Sequence, residues 1–343
     1  MIGTPIARPR RVSWLRGIFV SLLAIAVILA AAGFFYENIA EARDRRFNPM
    51  PGQRVNVTSQ NSSLEMHIYC TGAGVPAVIL DSGLGDSFTS WRKVQPQIAA
   101  FTRVCSYDRA DIGYSSPSSR ARTSEVIAEE LHSLLHDAAV PAPYVLVGHS
   151  MGGYDVRVFA NHYRNEVAGV VLVDASHPDQ EKRFPPELRN MEGTWLREAE
   201  FLAYTMPFGI PRLLGLCDEG AAERASDCNF HTAREGIAEM KAFPESATET
   251  AATGTLGDLP LAVLSHDPDK PSSEMPPDLA KPTNDAWEKM QEELAQLSTR
   301  GTQTIARNSS HYIQIDRPDV VIEAVRNVVN QARSLEAPAT PKP

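Results

Sequence analysis

Residues 144–153 read Tyr144-Val145-Leu146-Val147-Gly148-His149-Ser150-Met151-Gly152-Gly153. An uncharged apolar run enters the pattern Gly-x-Ser-x-Gly, the signature of a chain that leaves a buried strand, turns sharply and starts a helix. Glycines on either side let the backbone make that turn without side-chain clash, and the serine hydroxyl is lifted above the sheet edge. The helix predicted next, around 154–160, points its free N–H groups and positive dipole end at the hydroxyl. Ser150 is therefore the candidate nucleophile.

Strand-like runs recur on both sides of this element, at 54–57, 64–69, 77–80, 103–107, 169–173, 261–264 and 302–306. Apolar residues at helical spacing lie between most of them, at 124–138, 284–297 and 318–329, with Ser124, Asn284 and Asp316 as cap candidates. Alternating strands and helices predict an α/β fold with a mainly parallel sheet covered on both faces. The first two strands leave no room for a helix and predict an antiparallel hairpin. The rhythm breaks between Val173 and Leu261, where no strand pattern occurs. That interval holds helical patterns at 187–202 and 233–241 and many prolines, and an insertion of its size reads as a lid or binding element. Its apolar residues Trp195, Leu196, Phe201, Leu202, Met206, Phe208, Leu213 and Leu214 suit either a pocket for acyl or aromatic groups or the insertion's own core.

The N-terminal region is equally informative. Residues 17–36 carry no charge, and twenty helical residues at roughly 1.5 Å each span the ~30 Å hydrocarbon core of a bilayer. Arg8, Arg10, Arg11 and Arg16 precede the span, which predicts an anchor with its N-terminus inside and the rest of the chain outside the cytoplasm. A cleaved signal peptide is the alternative, with Ala30-Ala31-Ala32 as its site, and would make the protein secreted. The organisation expected is a basic flank (1–16), an anchor helix (17–36), a polar linker (37–52), a core in two parts (53–176 and 259–334) around a cap insertion (177–258), and a disordered Pro/Ala-rich tail (335–343). Four cysteines suit two disulfides in an oxidising compartment, with Cys217 and Cys228 close in a loop-rich region and Cys70 and Cys105 in strands. Four buried thiols are the other reading. A net charge of −9 without a basic stripe argues against nucleic acid as a partner, and the pattern sets no oligomeric state.

Serine needs a positioned base, and the base an orienting acid. His311 is the candidate base, in a polar loop after the last strand and before the last helix. His149, inside the turn itself, reads as its support. The acid should end a strand between nucleophile and base. Asp269, after the strand at 261–264, is the first choice, with Asp174 and Asp267 as alternatives. The oxyanion site should join the Met151 N–H to that of Leu84, in the glycine loop Asp81-Ser82-Gly83-Leu84-Gly85-Asp86. Such a triad calls for no cofactor and no metal.

Gly148 to Gly153, the Gly83 loop, the stretch Tyr107-Asp108-Arg109-Ala110-Asp111-Ile112-Gly113-Tyr114-Ser115 and the closing Ser310-His311-Tyr312-Ile313-Gln314 together resemble the α/β-hydrolase fold superfamily, in its serine esterase and haloperoxidase-like branch. The resemblance covers about residues 54–332 and implies an eight-stranded, mostly parallel sheet with a helical cap. Ser150, where epoxide hydrolases and dehalogenases carry an aspartate, separates the chain from those branches. Ser82 stands where the family often has histidine. Asp111 stands where many relatives have glycine, which implies a backbone open to any residue there. The expected function is a membrane-anchored serine hydrolase acting on small carboxylic esters. The alternatives are thioester, amide or lactone cleavage by the same triad, or a hydrolase fold that only binds a ligand.

Overall fold

The computed structural model describes residues 11–59, 62–217, 220–270 and 276–336. Arg8, Arg10 and the tail beyond residue 336 lie outside the described residues. Each strand-like run forms a strand: β1 Gln53–Ser59, β2 Ser62–Thr71, β3 Ala77–Asp81, β4 Val104–Tyr107, β5 Tyr144–His149, β6 Val167–Val173, β7 Leu261–Ser265 and β8 Gly301–Ile305. They make one eight-stranded sheet in the order β1-β2-β4-β3-β5-β6-β7-β8. β1 and β2 form the antiparallel hairpin, β2 meets β4 antiparallel, and every later pairing is parallel.

The central strands are apolar on both faces because both are covered. Val145 and Val147 of β5 point to one side, with Val171, Val173 and Leu264, and pack against Val321, Val325 and Val328 of the C-terminal helix. Leu146 points to the other side, with Ile79 and Leu172, against Leu131 and Leu134 of the helix Ser124–Asp137 and Val156 and Phe159 of the helix after the elbow. Fully burying each such side chain stabilises the fold by about 1.5–3 kcal/mol. The long helices, in chain order, are α1 Arg11–Phe47, α2 Ser124–Asp137, α3 Gly152–His162, α4 Pro186–Thr205, α5 Phe230–Ala252, α6 Pro277–Ala295 and α7 Pro318–Glu336. α4 and α5 belong to the insertion between β6 and β7.

Several local expectations are corrected. The helix expected as an anchor does not stop at residue 36, because no glycine or proline falls between that residue and Pro49; α1 runs to Phe47 through most of the expected linker. Glu41 and Arg45 pair at 2.9 Å one turn apart, and Glu37 and Asp44 are buried against Arg212 of the insertion. The α2 cap position falls on Thr123, and the Ser124 hydroxyl instead donates to Asp155 at 2.6 Å. Asn284 lies inside α6 and gives its amide to the Pro268 carbonyl. Asp316 closes the short turn Ile313–Asp316 and accepts the Ser310 N–H. Leu335 and Glu336 belong to α7 rather than to the tail.

The cysteines pair as Cys70–Cys105 and Cys217–Cys228. Cys70 and Cys105 stand directly opposite each other on β2 and β4, which brings their Cα atoms to 4.0 Å. Several apolar residues of the insertion are not buried in a core: Phe201, Leu213 and Leu214 are 66%, 67% and 65% exposed.

Candidate active site

β5 ends at His149, and Ser150 follows with φ +52, the left-handed region that costs a non-glycine residue about 1–2 kcal/mol. The strain persists because the turn is clamped. Ser150 N–H donates to the Val173 carbonyl at 3.2 Å, and its own carbonyl accepts from Gly153 and Ser176, both at 3.0 Å. Only glycine fits at two points. A Cβ on Gly148 would stand 2.4 Å from the Gly152 carbonyl oxygen, and one on Gly152 would stand 2.6 Å from that of Ser82. The strand end, the first turn of α3 and the loop after β3 are thus pressed together around Ser150.

His311 lies in the loop between β8 and the last helices, and its Nδ1 meets Asp174 Oδ2 at 2.6 Å. Asp174 follows β6 directly, is fully buried and has φ +43. Its carboxylate also accepts the His266 N–H at 3.0 Å, the Trp287 Nε1–H at 2.8 Å and His266 Nδ1 at 2.8 Å. Burial by itself would raise this carboxyl, but the hydrogen bonds from His266 and His311, with their charges, outweigh it and hold Asp174 well below the ordinary carboxylate range. For His266, burial works against the charged form, and the bond to Asp174 more than reverses it, leaving the imidazole above its usual value.

His149 turns its ring under this loop. Its Nε2–H donates to the His311 carbonyl at 3.1 Å, tying the His311 backbone to the elbow. Burial, and then the nearby His311, push the His149 imidazole down to about 3, so it is neutral at neutral pH. It supports the site, as the sequence suggested.

The glycine loop after β3 is held from below by a buried cation. Arg109 donates to the carbonyls of Ser82 at 2.8 Å and Gly83 at 2.5 Å, to Asp81 at 3.0 Å, and to both carboxylate oxygens of Glu239. Glu239 comes from α5 of the insertion and also accepts the Gly85 N–H at 2.8 Å. Burial depresses and its two acidic partners raise Arg109, which ends well above its usual value. Asp81 is pushed up to about 6, by burial first and against the pull of Arg109. Among the described residues, neither the Leu84 nor the Met151 N–H is used in a hydrogen bond within the fold, which is the condition an oxyanion site needs.

A family model described as the alpha/beta hydrolase family matches residues 78–324. The chain belongs to that family. This hydrolase-family chain is 26% identical over 268 residues to the uncharacterised protein YqjL of Bacillus subtilis, covering 78% of this chain and 88% of that one. It is 33% identical over 124 residues to a 2-hydroxy-6-oxononadienedioate/2-hydroxy-6-oxononatrienedioate hydrolase of Cupriavidus pinatubonensis, but over only 34% of this chain and 43% of that enzyme. Several other curated relatives are spanned over half their length or less. Among solved structures it is similar to a thermophilic esterase from Thermogutta terrifontis, with a TM-score of 0.58 at 24% identity, covering 82% of this chain and 99% of that one. That likeness shows the fold. Family and relatives together support a hydrolytic activity.

In this hydrolase the acid expected first is corrected. Asp269 is 87% exposed and pairs with Arg307 at 3.2 Å, while the His311 imidazole meets Asp174 instead. Asp267 accepts the Asn308 N–H at 2.8 Å and pairs with Arg307, so it shapes the loop that carries His311 without touching the imidazole. The alternative Asp174 meets His311 because β6 lies between the elbow strand and β7. Asp111 is corrected as well. It has φ +61, the glycine-favouring conformation, which a short polar side chain tolerates, and pairs there with Arg234 and His231 of the insertion. The sequence reading missed His266, Trp287 and Glu239. His266 abuts the Asp-x-Asp pair, a weak signal; nothing local marks the other two, which arrive from distant helices. A cleft of about 450 Å³ opens beside the His311 loop, lined by Ser90, Asp227, Ser310 and Tyr312 among others.

Proposed function

We propose that this protein is a serine hydrolase cleaving carboxylic esters, anchored by α1 with its catalytic part outside the cytoplasm. Ser150 Oγ attacks the ester carbonyl while His311 takes its proton, and Asp174 holds the imidazole with Nδ1 protonated. The Leu84 and Met151 N–H groups receive the oxyanion. The proton passes from His311 to the departing alkoxide, leaving an acyl-serine. A water then gives its proton to His311 and releases the acid. The insertion serves as the cap over this site.

The observation that carries the reading is the 2.6 Å contact between His311 and a buried, fully hydrogen-bonded Asp174, on the strand that clamps the Ser150 elbow. Support for the anchor is the N-terminal helix, long and apolar enough to cross a membrane. Two disulfides fit an oxidising compartment. The test is hydrolysis of a p-nitrophenyl ester series by the full chain in detergent, with Ser150→Ala as control. Activity should fall at least about 10³-fold in the control. Undiminished hydrolysis by Ser150→Ala, or failure of a fluorophosphonate to label Ser150, refutes the mechanism.

A further inference from the structure

The insertion carries an exposed apolar surface that rises against the anchor helix itself. From Met206 to Leu216 the sequence is Met-Pro-Phe-Gly-Ile-Pro-Arg-Leu-Leu-Gly-Leu, with one charged residue. That residue, Arg212, turns inward. It meets Glu37 at 3.0 Å and Asp44 at 2.6 Å, two acids of α1 that are themselves buried by the contact. The outward side is left to Leu213, Leu214 and Leu216, each more than half exposed. Single exposed leucines are unremarkable, but a contiguous uncharged patch marks a surface that meets something other than water.

Its position says what. Phe208, Ile210 and Leu213 line an apolar groove of about 570 Å³ whose other wall is Leu29, Ala30, Ala32, Gly33 and Tyr36 of α1. The contact is close: a Cβ on Gly33 would stand 2.4 Å from the Phe208 carbonyl oxygen. Leu29 to Gly33 belong to the uncharged stretch between Arg16 and Glu37. With a rise of about 1.5 Å per residue, these positions lie roughly 5–10 Å inside the outer end of the span. Side chains that touch them share that depth, and it is the depth to which interfacial amphipathic segments insert.

We infer that the segment Met206–Leu216 of the insertion is a second membrane contact, seated among the acyl chains of the outer leaflet beside the anchor. The inference rests on the anchor reading of α1. A bilayer, rather than a protein partner, is the occupant because the groove's far wall is the span, whose surroundings are lipid. Arg212 is then paired with Glu37 and Asp44 at the outer end of the span, so that its charge does not meet the bilayer without a partner.

The test uses the full chain in nanodiscs holding one molecule each. All four cysteines are in disulfides, so single added thiols can carry a nitroxide. Labels are placed on Leu213→Cys, on Ile25→Cys in the middle of the span, and on Asp258→Cys, an exposed residue just before β7. Collisions with a water-soluble nickel chelate should be about tenfold fewer at positions 213 and 25 than at 258, with oxygen collisions enriched at both. Leu214→Cys repeats the reading if the first variant does not fold. Chelate access at 213 equal to that at 258, with 25 protected, overturns the inference and leaves the anchor standing. Chelate access at 25 equal to that at 258 removes the anchor reading and this inference with it. Exclusion of both reagents at 213 overturns it in favour of a protein-covered surface.

Discussion

Replacing Asp174 by asparagine tests the proposed triad at its most specific point. Two of the donors around the carboxylate, the His266 backbone N–H and the Trp287 Nε1–H, reach Oδ1 alone. His311 Nδ1 reaches Oδ2 alone, and His266 Nδ1 lies within reach of both, at 3.0 and 2.8 Å, so it keeps a partner if the oxygen sits at Oδ1. An asparagine keeps one acceptor. Placing its oxygen at the Oδ1 position preserves the two neutral donors and sets its NH₂ against His311 Nδ1. Placing it the other way confronts the NH₂ with both donors, at about 1–3 kcal/mol for each buried group left unsatisfied. The first arrangement wins. His311 Nδ1 must then accept, its proton moves to Nε2, and the ring offers Ser150 a donor where a base is needed. A wrong tautomer of this kind lowers kcat about 10⁴-fold, which corresponds to about 5.5 kcal/mol. The assay is ester hydrolysis at pH 7.5 by Asp174→Asn and Asp269→Asn, each checked for unchanged melting within a few degrees. Asp269→Asn, on the surface beside Arg307, should stay within about twofold of the parent. A loss above about 10³-fold in Asp269→Asn with Asp174→Asn nearly unaffected would refute the assignment of the acid.

Further outcomes follow from the packing. Glu239→Gln leaves the buried Arg109 short of one carboxylate, so the melting transition should fall by the equivalent of about 3–5 kcal/mol, read by denaturant titration. Because Glu239 and Arg109 fix the Gly83 loop, the same variant should lower kcat more than it raises KM. The pH dependence of stability has two parts. Asp174 lies below its unfolded value of about 3.9, so its contribution is complete above that pH and is lost as pH falls further. Asp81 is raised to about 6, and Asp227 and Glu235 to about 7, chiefly by burial, so the folded state holds protons that the unfolded chain has released, and stability from these three declines as pH rises from about 4 to about 7. Thermal melts should therefore show a maximum near pH 4; a steady rise from pH 5 to 8 would contradict this. Cys217→Ser with Cys228→Ser opens a loop of 11-residue separation and should cost up to about 3 kcal/mol, measured against the parent chain under the same conditions.

The scaffold was legible because its signals are local. The central strands are short apolar runs, and the elbow is written in six consecutive residues with a strand on one side and a helix on the other. Ser150 and His311, the proposed nucleophile and base, were named from chain order. The acid did not, for a geometric reason. β6 and β7 are adjacent parallel strands in register, Val173 opposite Leu264, so the residues following both emerge at the same sheet edge a strand spacing apart. Asp174 and Asp269 are then equivalent candidates until the sheet is assembled and the His311 loop is laid over one of them. The extension of α1 through residues 37–47 was hidden for a related reason. Its charges look like those of a solvated linker, and only the approach of Arg212, distant in sequence, explains why Glu37 and Asp44 are buried. Glu239 and Trp287 likewise act at the site through helices whose arrival no nearby residue announces.

The unbroken run of α1 from the apolar stretch to its contact with the insertion has a mechanical consequence. A flexible tether would let the catalytic part sweep a hemisphere and tumble as though free. A single continuous helix, riveted by Arg212, couples the two, so that rotation of the span turns the whole molecule and its tilt becomes the tilt of the sheet. Once seated in a bilayer, such a molecule keeps Ser150 at one fixed height and explores its surroundings in two dimensions. Its encounters are then set by lateral diffusion and by what occupies that thin layer, rather than by concentration in the bulk solution.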